Sequence, residues 1–176
     1  ADEYNTFFQK DKVTTMTQRV STPNKYQITR KAGDFNTIKF VISGTPSDGR
    51  KGQLLAISAF SKYLNEIKPK TPEKYRDFEL HLISIEDDYV SDQIKTIGDG
   101  LLKNRVHYYP KIPKNEAMDI TSNCNVTICC SLNETFGLYI AEVMLMGHIL
   151  LRNNSSGMAE QLVDGKNGLL IETADI

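Results

Sequence analysis

The sequence lacks the features that mark a membrane, secreted or polyelectrolyte-binding protein. Its apolar runs stay well below the roughly 20 residues needed to span a bilayer. Residues 1–12 have no apolar core, so we expect no signal peptide. The formal net charge is only −1, which argues against bulk electrostatic binding to nucleic acid or to an anionic membrane.

Cysteine is also scarce, with 3 residues in the chain. Cys129 and Cys130 are neighbours that point to opposite faces of a predicted strand, so we expect no disulfide framework. We interpret them and Cys124 as reduced, small core residues without a metal or redox role. This cysteine usage favours a reducing compartment, the cytoplasm.

What is present is typical of a globular domain with a real core. The chain has 176 residues, of which 40% are hydrophobic and 24% are charged. Apolar runs predict strands at 38–44, 78–85, 106–109, 126–132, 148–152 and 169–172. Amphipathic runs predict helices at 53–67, 90–102, 113–121, 137–146 and from Ser155 or Ser156 through Val163, with Pro69 and Pro72 in the loop after the first helix. Strands that are apolar on both faces and alternate with helices predict an α/β fold with a Rossmann-like, doubly wound, mostly parallel sheet.

Residues 1–37 fit this pattern poorly, because their few apolar residues are scattered among Thr, Gln and Lys. We predict that they form an N-terminal extension or linker that packs only in part, and that residues 38–176 form the α/β domain. The sequence stops just after a predicted strand, where a doubly wound domain usually adds a helix. We therefore expect a domain excised from a larger protein.

The most informative stretch carries two carboxylates, Glu134 and Glu142, with seven residues between them. A predicted strand precedes it, and Gly137 opens a predicted helix. Strand, glycine turn and helix start are the arrangement with which parallel sheets direct backbone N–H groups toward a phosphate. Lys51 and Arg50 lie in the loop after the first strand, and the carboxyl ends of parallel strands share one side of the sheet. Acids beside such an anion site suit a ligand with a diphosphate and hydroxyls, such as a nucleotide sugar.

Taken together, these residues resemble the donor half of retaining GT-B glycosyltransferases, and more narrowly the family 4 group with its E-x7-E signature. The matching pieces are 134–138 with Glu142, then Gly147, 157–160 and 164–169, and upstream Gly44 and 50–53. The resemblance implies a domain that binds a nucleoside-diphosphate sugar, UDP- or GDP-linked, with no further cofactor and no metal. It also implies a missing N-terminal domain for a glycan, lipid or protein acceptor. A full-length enzyme of this kind is compatible with peripheral association at the inner face of a membrane.

The resemblance also implies a role for each matching residue. Lys51, assisted by Arg50, would contact the diphosphate, and Glu142 would bind the ribose hydroxyls. Glu134 would contact the sugar as the catalytic residue. The remaining binding positions are backbone or loop contacts: Gly44, Ile112 (at the end of the 110–112 loop that borders the base), Thr135, Phe136, Gly137 and Leu138. Thr45 stands where many members of the group carry an arginine.

The residues themselves leave simpler interpretations open. Glu134 could be a solvated loop acid, and Lys51 and Arg50 could be ordinary turn charges. The Asp87-Asp88 pair resembles the metal-binding acids of other glycosyltransferases. Because it has no apparent partner acid, we interpret it as a solvated turn.

The histidines and three rival functions complete the alternatives. His81, His107 and His148 have no second ligand at metal spacing along the sequence, so we predict packed or edge residues and no metal site.

A regulatory receiver module would need an acceptor aspartate, which 132–134 does not offer. A nicotinamide-dependent oxidoreductase would need G-x-G-x-x-G, which 44–49 lacks. An epimerase with the GT-B fold stays open as an alternative.

Overall fold

The computed structural model describes residues 20–21, 23–26, 37–46, 51–131, 137–153 and 161–171. Six parallel strands form one sheet in the order β3-β2-β1-β4-β5-β6. The strands are β1 Thr37–Ser43, β2 Asp77–Ile83, β3 Val106–Tyr109, β4 Val126–Cys129, β5 Ile149–Arg152 and β6 Leu169–Leu170. The main helices are α1 Gln53–Lys62, α2 Tyr89–Leu102, α3 Lys114–Ser122 and α4 Leu138–Leu145. This strand order is that of doubly wound dinucleotide-binding sheets and confirms the predicted fold class.

Four strands end earlier than predicted: β1 by one residue, β2 and β6 by two, and β4 by three. β2 stops at Ile83 because Ser84 has a φ of 73°, which turns the chain out of the extended conformation. β4 stops at Cys129, which is in register with Arg152, the last residue of β5. Beyond that pair the β4 backbone has no ladder partner in β5.

The helix after β1 runs further than predicted. α1 continues as a π-helical turn, Tyr63–Ile67, and then as one more turn, Lys68–Lys70. Pro69 therefore lies inside the helix rather than in a loop after it. A proline lacks an N–H donor and crowds the carbonyl four residues earlier. A wider π turn at that point accommodates both effects without ending the helix.

The hydrophobic core lies on both faces of the sheet, because successive strand residues point to opposite sides. On one face, fully buried Ile42 belongs to a cluster with Ile57 of α1 and Ile94 of α2. On the other face, Val41 and Ile83 pack near α3. Burial of such a side chain contributes about 1.5–3 kcal/mol relative to its exposure. The predicted coverage of both faces is confirmed.

Little of the predicted extension 1–37 is described. Tyr26 is 4% exposed and joins a core cluster that includes Met118 and Ile140. Its hydroxyl donates to the Asn115 carbonyl at 3.2 Å. The boundary at residue 37 stays a prediction. No helix in the described ranges has the length and apolarity to cross a bilayer.

The turn before β6 follows its predicted turn chemistry. Asp164 Oδ1 accepts from the Leu170 N–H at 2.8 Å, and Asn167 Oδ1 accepts from the Val163 N–H at 2.6 Å. The predicted helix 155–163 lies mostly outside the described residues. Its predicted end at Val163 is wrong, because residues 161–163 are turn and irregular backbone held by the Asn167 side chain.

Candidate functional site

Lys51 lies against the carboxyl end of β1. Gly44 has a φ of 136° and donates its N–H to the Ile83 carbonyl at 3.2 Å. Gln53 Nε2 donates to the Gly44 carbonyl at 2.9 Å, so the start of α1 is tied to the end of β1. A Cβ at Gly44 would lie 3.3 Å from Lys51 Cε. Glycine at this position therefore leaves room for the lysine to lie across the strand end; Arg50 falls outside the described residues.

Gly52, which the sequence analysis quoted only as part of the 50–53 motif, has a structural role of its own. It precedes α1 with a φ of 76°, a left-handed conformation that favours glycine. A Cβ at this position would lie 2.4 Å from Cys130 Cβ. The backbone after β1 thus approaches the end of β4 more closely than any side chain allows.

Gly137 opens α4 as predicted. It is buried, has a φ of 72°, and its carbonyl accepts from the Ile140 N–H at 2.9 Å. The N–H groups of Leu138 and Tyr139 precede that first intrahelical donor, so they are the groups that a helix start offers to an anion. Glu134, Thr135 and Phe136 lie outside the described residues.

Lys51 and Gly137 line the same cavity. Its walls come from the end of β1, the end of β4 and the start of α4, and its volume is about 40 Å³. β1 and β4 are the adjacent strands at which the order of the sheet reverses. Ligands of doubly wound folds bind at the carboxyl ends of the strands at this switch point. The structure therefore brings together two of the predicted phosphate contacts.

Glu142 lies one turn further along α4 and is paired with a residue that the sequence analysis did not name. Its side chain is only 12% exposed and forms an ion pair with Lys114 Nζ, whose own side chain is 73% exposed. Lys114 begins α3, where a positive charge opposes the helix dipole. The pair with Glu142 offsets that cost. Both residues, with Tyr26 and Met118, line a second pocket of about 470 Å³.

Ile112 ends the 110–112 loop, whose contact with the base stays a prediction. Its side chain is half-buried and packs in the cluster of Val41, Ile83 and Cys124. Pro110 and Lys111 of the same loop are exposed. A base beside this loop would therefore meet these two residues and the exposed part of Ile112.

Arg152 is a second cation at the carboxyl edge that the sequence analysis did not name. It ends β5, is fully buried and is in register with Cys129, which lines the cavity of Lys51. Burial lowers the pKa of its guanidinium. Its neighbour Asn153 donates from Nδ2 to the Ser131 carbonyl at 3.1 Å, which joins the β5 end to the chain after β4. The sequence feature that could have identified Arg152 is an arginine at the end of an otherwise apolar strand.

Two of the cysteines and one acid of the Asp87-Asp88 pair have structural roles. Cys124 and Cys130 are buried, and burial raises their thiol pKa to about 12 and about 11. They stay protonated and unreactive. Asp88 caps α2 by accepting from the N–H groups of Val90 and Ser91, each at 3.0 Å, so this half of the predicted solvated turn is a helix cap.

An apolar groove of about 470 Å³ lies on the α1 side of the sheet and is lined by residues that include Phe40, Phe60, Phe78 and Ile128. Its walls offer few groups that bind phosphate or hydroxyls. We therefore do not assign the donor to it.

Comparisons with known proteins agree with the function that this geometry suggests. The family model described as Glycosyl transferases group 1 matches residues 25–176, which is most of the chain. The chain belongs to this family. The resemblance to GT-B glycosyltransferases stated from the motifs is thereby confirmed.

This group 1 domain is 29% identical over 112 residues to the GDP-Man:Man(3)GlcNAc(2)-PP-Dol alpha-1,2-mannosyltransferase of Mus musculus. The alignment covers 61% of this chain and 22% of the mouse protein. A glycosyltransferase structure from Rickettsia africae matches with a TM-score of 0.65 at 19% identity, over 81% of this chain and 35% of that one. Anabaena HepE in complex with UDP-glucose matches with a TM-score of 0.60 at 19% identity, over 79% of this chain and 35% of that one. At these identities the structures show the fold alone, and this domain spans about a third or less of each protein.

Proposed function

We propose that this chain is the donor-binding domain of a retaining GT-B glycosyltransferase of the family 4 type. Such an enzyme moves a sugar from a nucleoside-diphosphate sugar to a glycan, lipid or protein acceptor. The observation that carries the proposal is the shared cavity of Lys51 and Gly137 at the switch point of the sheet. The Lys51 side chain and the start of α4 thus border one small volume.

The chemistry of glycosyl transfer explains this arrangement. A nucleoside diphosphate leaves the sugar with growing negative charge on its phosphates, and the transition state needs that charge stabilised. Lys51 and the N–H groups at the start of α4 supply fixed positive charge and dipole where the diphosphate would lie. Arg50 would add a second cation. We infer that these groups take the part that a metal ion plays in other glycosyltransferases, so donor binding needs no Mg²⁺.

Glu142 is assigned to the ribose. A carboxylate accepts paired hydrogen bonds from a vicinal diol, as the acid of dinucleotide-binding folds does. Lys114 is paired with Oε1 of this carboxylate. That pair leaves Oε2 and further lone pairs to the ribose, and it fixes the carboxylate before the donor arrives. Lys114 is thus proposed as a positioning residue for Glu142.

Glu134 is assigned to the hydroxyls of the transferred sugar and is proposed as the catalytic residue. This assignment rests on the E-x7-E match, because residues 132–136 lie outside the described part of the chain. A contact of this kind tightens as the glycosidic bond breaks and so affects turnover more than affinity.

The donor, the acceptor and the location of the whole enzyme are also proposals. The mouse relative is by name a GDP-mannose-dependent mannosyltransferase, and HepE was crystallised with UDP-glucose. These names support GDP- or UDP-linked sugars as donors here. The acceptor would lie in the rest of a longer protein, in the cytoplasm or at the inner face of a membrane. We expect the isolated chain to transfer no sugar, because donor and acceptor must be held together in near-attack geometry. Sugar transfer by the purified chain above a buffer control would contradict this expectation.

Titration of UDP, GDP and ADP by calorimetry, with EDTA present, tests the proposal. We expect one of them to bind, and Lys51→Met to lose roughly 1.5–3 kcal/mol of that affinity, the typical worth of a charged hydrogen bond. Lys62→Met, an exposed lysine at the far end of α1, is the matched control and should bind like the parent chain. Loss of binding in EDTA would refute the metal-independent site. Equal affinities for the two lysine variants would refute the phosphate assignment.

The two carboxylates should fail in different ways. Glu142→Gln should cost about 1–3 kcal/mol of nucleoside-diphosphate affinity, because a charged acceptor is replaced by a neutral one. Glu134→Gln should leave that affinity nearly unchanged and weaken only the nucleotide sugar, and in a full-length enzyme it should lower turnover. Glu116→Gln, an exposed acid on α3, is the control. Equal losses for both variants with both ligands would show that ribose and sugar contacts are not divided in this way.

A further inference from the structure

A second polar cluster lies in β2 and β3, away from the carboxyl edge. Glu79 and His81 are two residues apart in β2 and therefore share one face of the sheet. His107 of β3 is the register partner of His81. The two imidazole rings stack with centroids 4.7 Å apart. The sequence analysis found no second ligand near any histidine because strand pairing, not linear spacing, brings these three side chains together.

The distances within the cluster are close to those of a metal site. Glu79 Oε2 lies 3.3 Å from His81 Nε2 and 3.7 Å from His107 Nε2. One ligand atom from each residue lies within 4.8 Å of the others. Ligand atoms around a tetrahedral Zn²⁺ with bonds of about 2.0–2.2 Å lie about 3.3–3.6 Å apart. Small side-chain shifts would bring all three atoms into that range.

Two further observations point to a ligand between these side chains. His107 Nε2 is shielded from solvent and makes no hydrogen bond to any described residue. His81 Nδ1 lies 2.9 Å from the Tyr109 hydroxyl. Metal-binding histidines usually engage their second nitrogen in this way, which orients the ring and leaves the first nitrogen to the ion.

We propose that Glu79, His81 and His107 form a binding site for a divalent transition-metal ion of the Zn²⁺ class. Two imidazoles and one carboxylate are a common ligand set for Zn²⁺, with a water molecule as the fourth ligand. The site is separate from the donor site. A bound ion joins the edge strand β3 to β2, and because it binds only the folded chain it raises stability.

Lys39 on β1 competes with the metal. Its Nζ lies 3.2 Å from the same Glu79 Oε2 that would bind the ion. The Lys39 side chain is 41% exposed, so it can swing toward solvent when the ion enters. The backbone N–H of Lys39 is held separately, at 2.8 Å, by Asn125 Oδ1. Replacement of the side chain should therefore leave the strand in place and strengthen metal binding.

The test is a titration of the EDTA-stripped, dialysed chain with ZnCl₂ by calorimetry and with CoCl₂ by absorption. We expect one ion per chain, Co²⁺ bands without thiolate charge transfer, and a rise in Tm with Zn²⁺. His107→Asn should lower the affinity at least about tenfold, and Tyr109→Phe should lower it by about 10–100-fold as a positioning change. Lys39→Gln should raise it. Cys129→Ala controls for thiol binding and should change nothing.

His107 is the main variant because its side chain is 41% exposed and its loss should not prevent folding. Its Tm without metal verifies this. The absence of saturable Zn²⁺ binding to the parent chain would overturn the proposal. Unchanged binding by His107→Asn, or cobalt spectra with thiolate bands, would also overturn it.

Discussion

Gly52→Ala offers a direct test of how the donor loop is held. At this residue the backbone is left-handed, and an added Cβ would lie 2.4 Å from Cys130 Cβ, at the end of β4. Gly165 has nearly the same backbone, with a φ of 70°, but no atom lies within 4 Å of an added Cβ. The pair of substitutions therefore separates the cost of the backbone conformation from the cost of the contact.

The magnitudes follow from these two terms. A left-handed alanine costs about 1–2 kcal/mol, and the lower entropy of its unfolded chain returns about 0.4–1 kcal/mol. Gly165→Ala should therefore lose about 0.5–1 kcal/mol. Gly52→Ala adds the cost of overpacking, about 1–3 kcal/mol, for a total of about 1.5–4 kcal/mol. In a chain of this size the Tm should fall by about 1–4 °C for Gly165→Ala and by about 3–16 °C for Gly52→Ala.

Thermal and urea unfolding of the two variants measures these losses, and nucleotide titration gives a second readout. Gly52 is the neighbour of Lys51, so Gly52→Ala should also weaken nucleoside-diphosphate binding, whereas Gly165→Ala should not. Equal losses of stability in the two variants would show that the close approach of Gly52 to Cys130 is not formed. A stable Gly52→Ala variant with unchanged nucleotide affinity would refute both parts of the reasoning.

Two further predictions concern α2. A Cβ at Gly98 would lie 2.2 Å from the Tyr108 hydroxyl, whereas a Cβ at Gly100 on the same helix would meet open space. In urea unfolding, Gly98→Ala should therefore lose about 1–3 kcal/mol of stability and Gly100→Ala should gain about 0.5–1 kcal/mol. A gain for both variants would contradict the packing of Gly98 against Tyr108. Hydrogen bonds from the Ser91 N–H and hydroxyl hold the pKa of Asp88 below its ordinary value of 3.8. The folding stability that this cap contributes is therefore fully present above pH 3.8. It is lost as the pH falls through the lower pKa that Asp88 has in the folded chain. Asp88→Asn keeps a good N-cap residue without a titrating group, so its unfolding free energy should fall less steeply below about pH 4, and identical acid profiles would refute this role.

Local patterns determined the fold class and much of the candidate site. Continuous apolar strands alternating with helices require a sheet covered on both faces, and the parallel sheet follows from that need. Gly137 was predicted to form the turn that opens a helix, and it does so with a φ of 72°, a left-handed conformation that favours glycine. The acids and cations of the motif were likewise visible in the sequence, since their chemistry depends on residue type and short spacing.

Only the tertiary structure decided which distant residues meet. Lys114 and Glu142 are 28 positions apart, and their contact depends on how α3 and α4 pack. His81 faces His107 because β2 pairs with β3 in one register, and a shift by one residue would point the histidine of one strand to the opposite face. Periodicity and turn chemistry act over a few residues and can be read from the sequence. Strand order, register and helix packing arise from burial summed over the whole chain, which linear spacing does not contain.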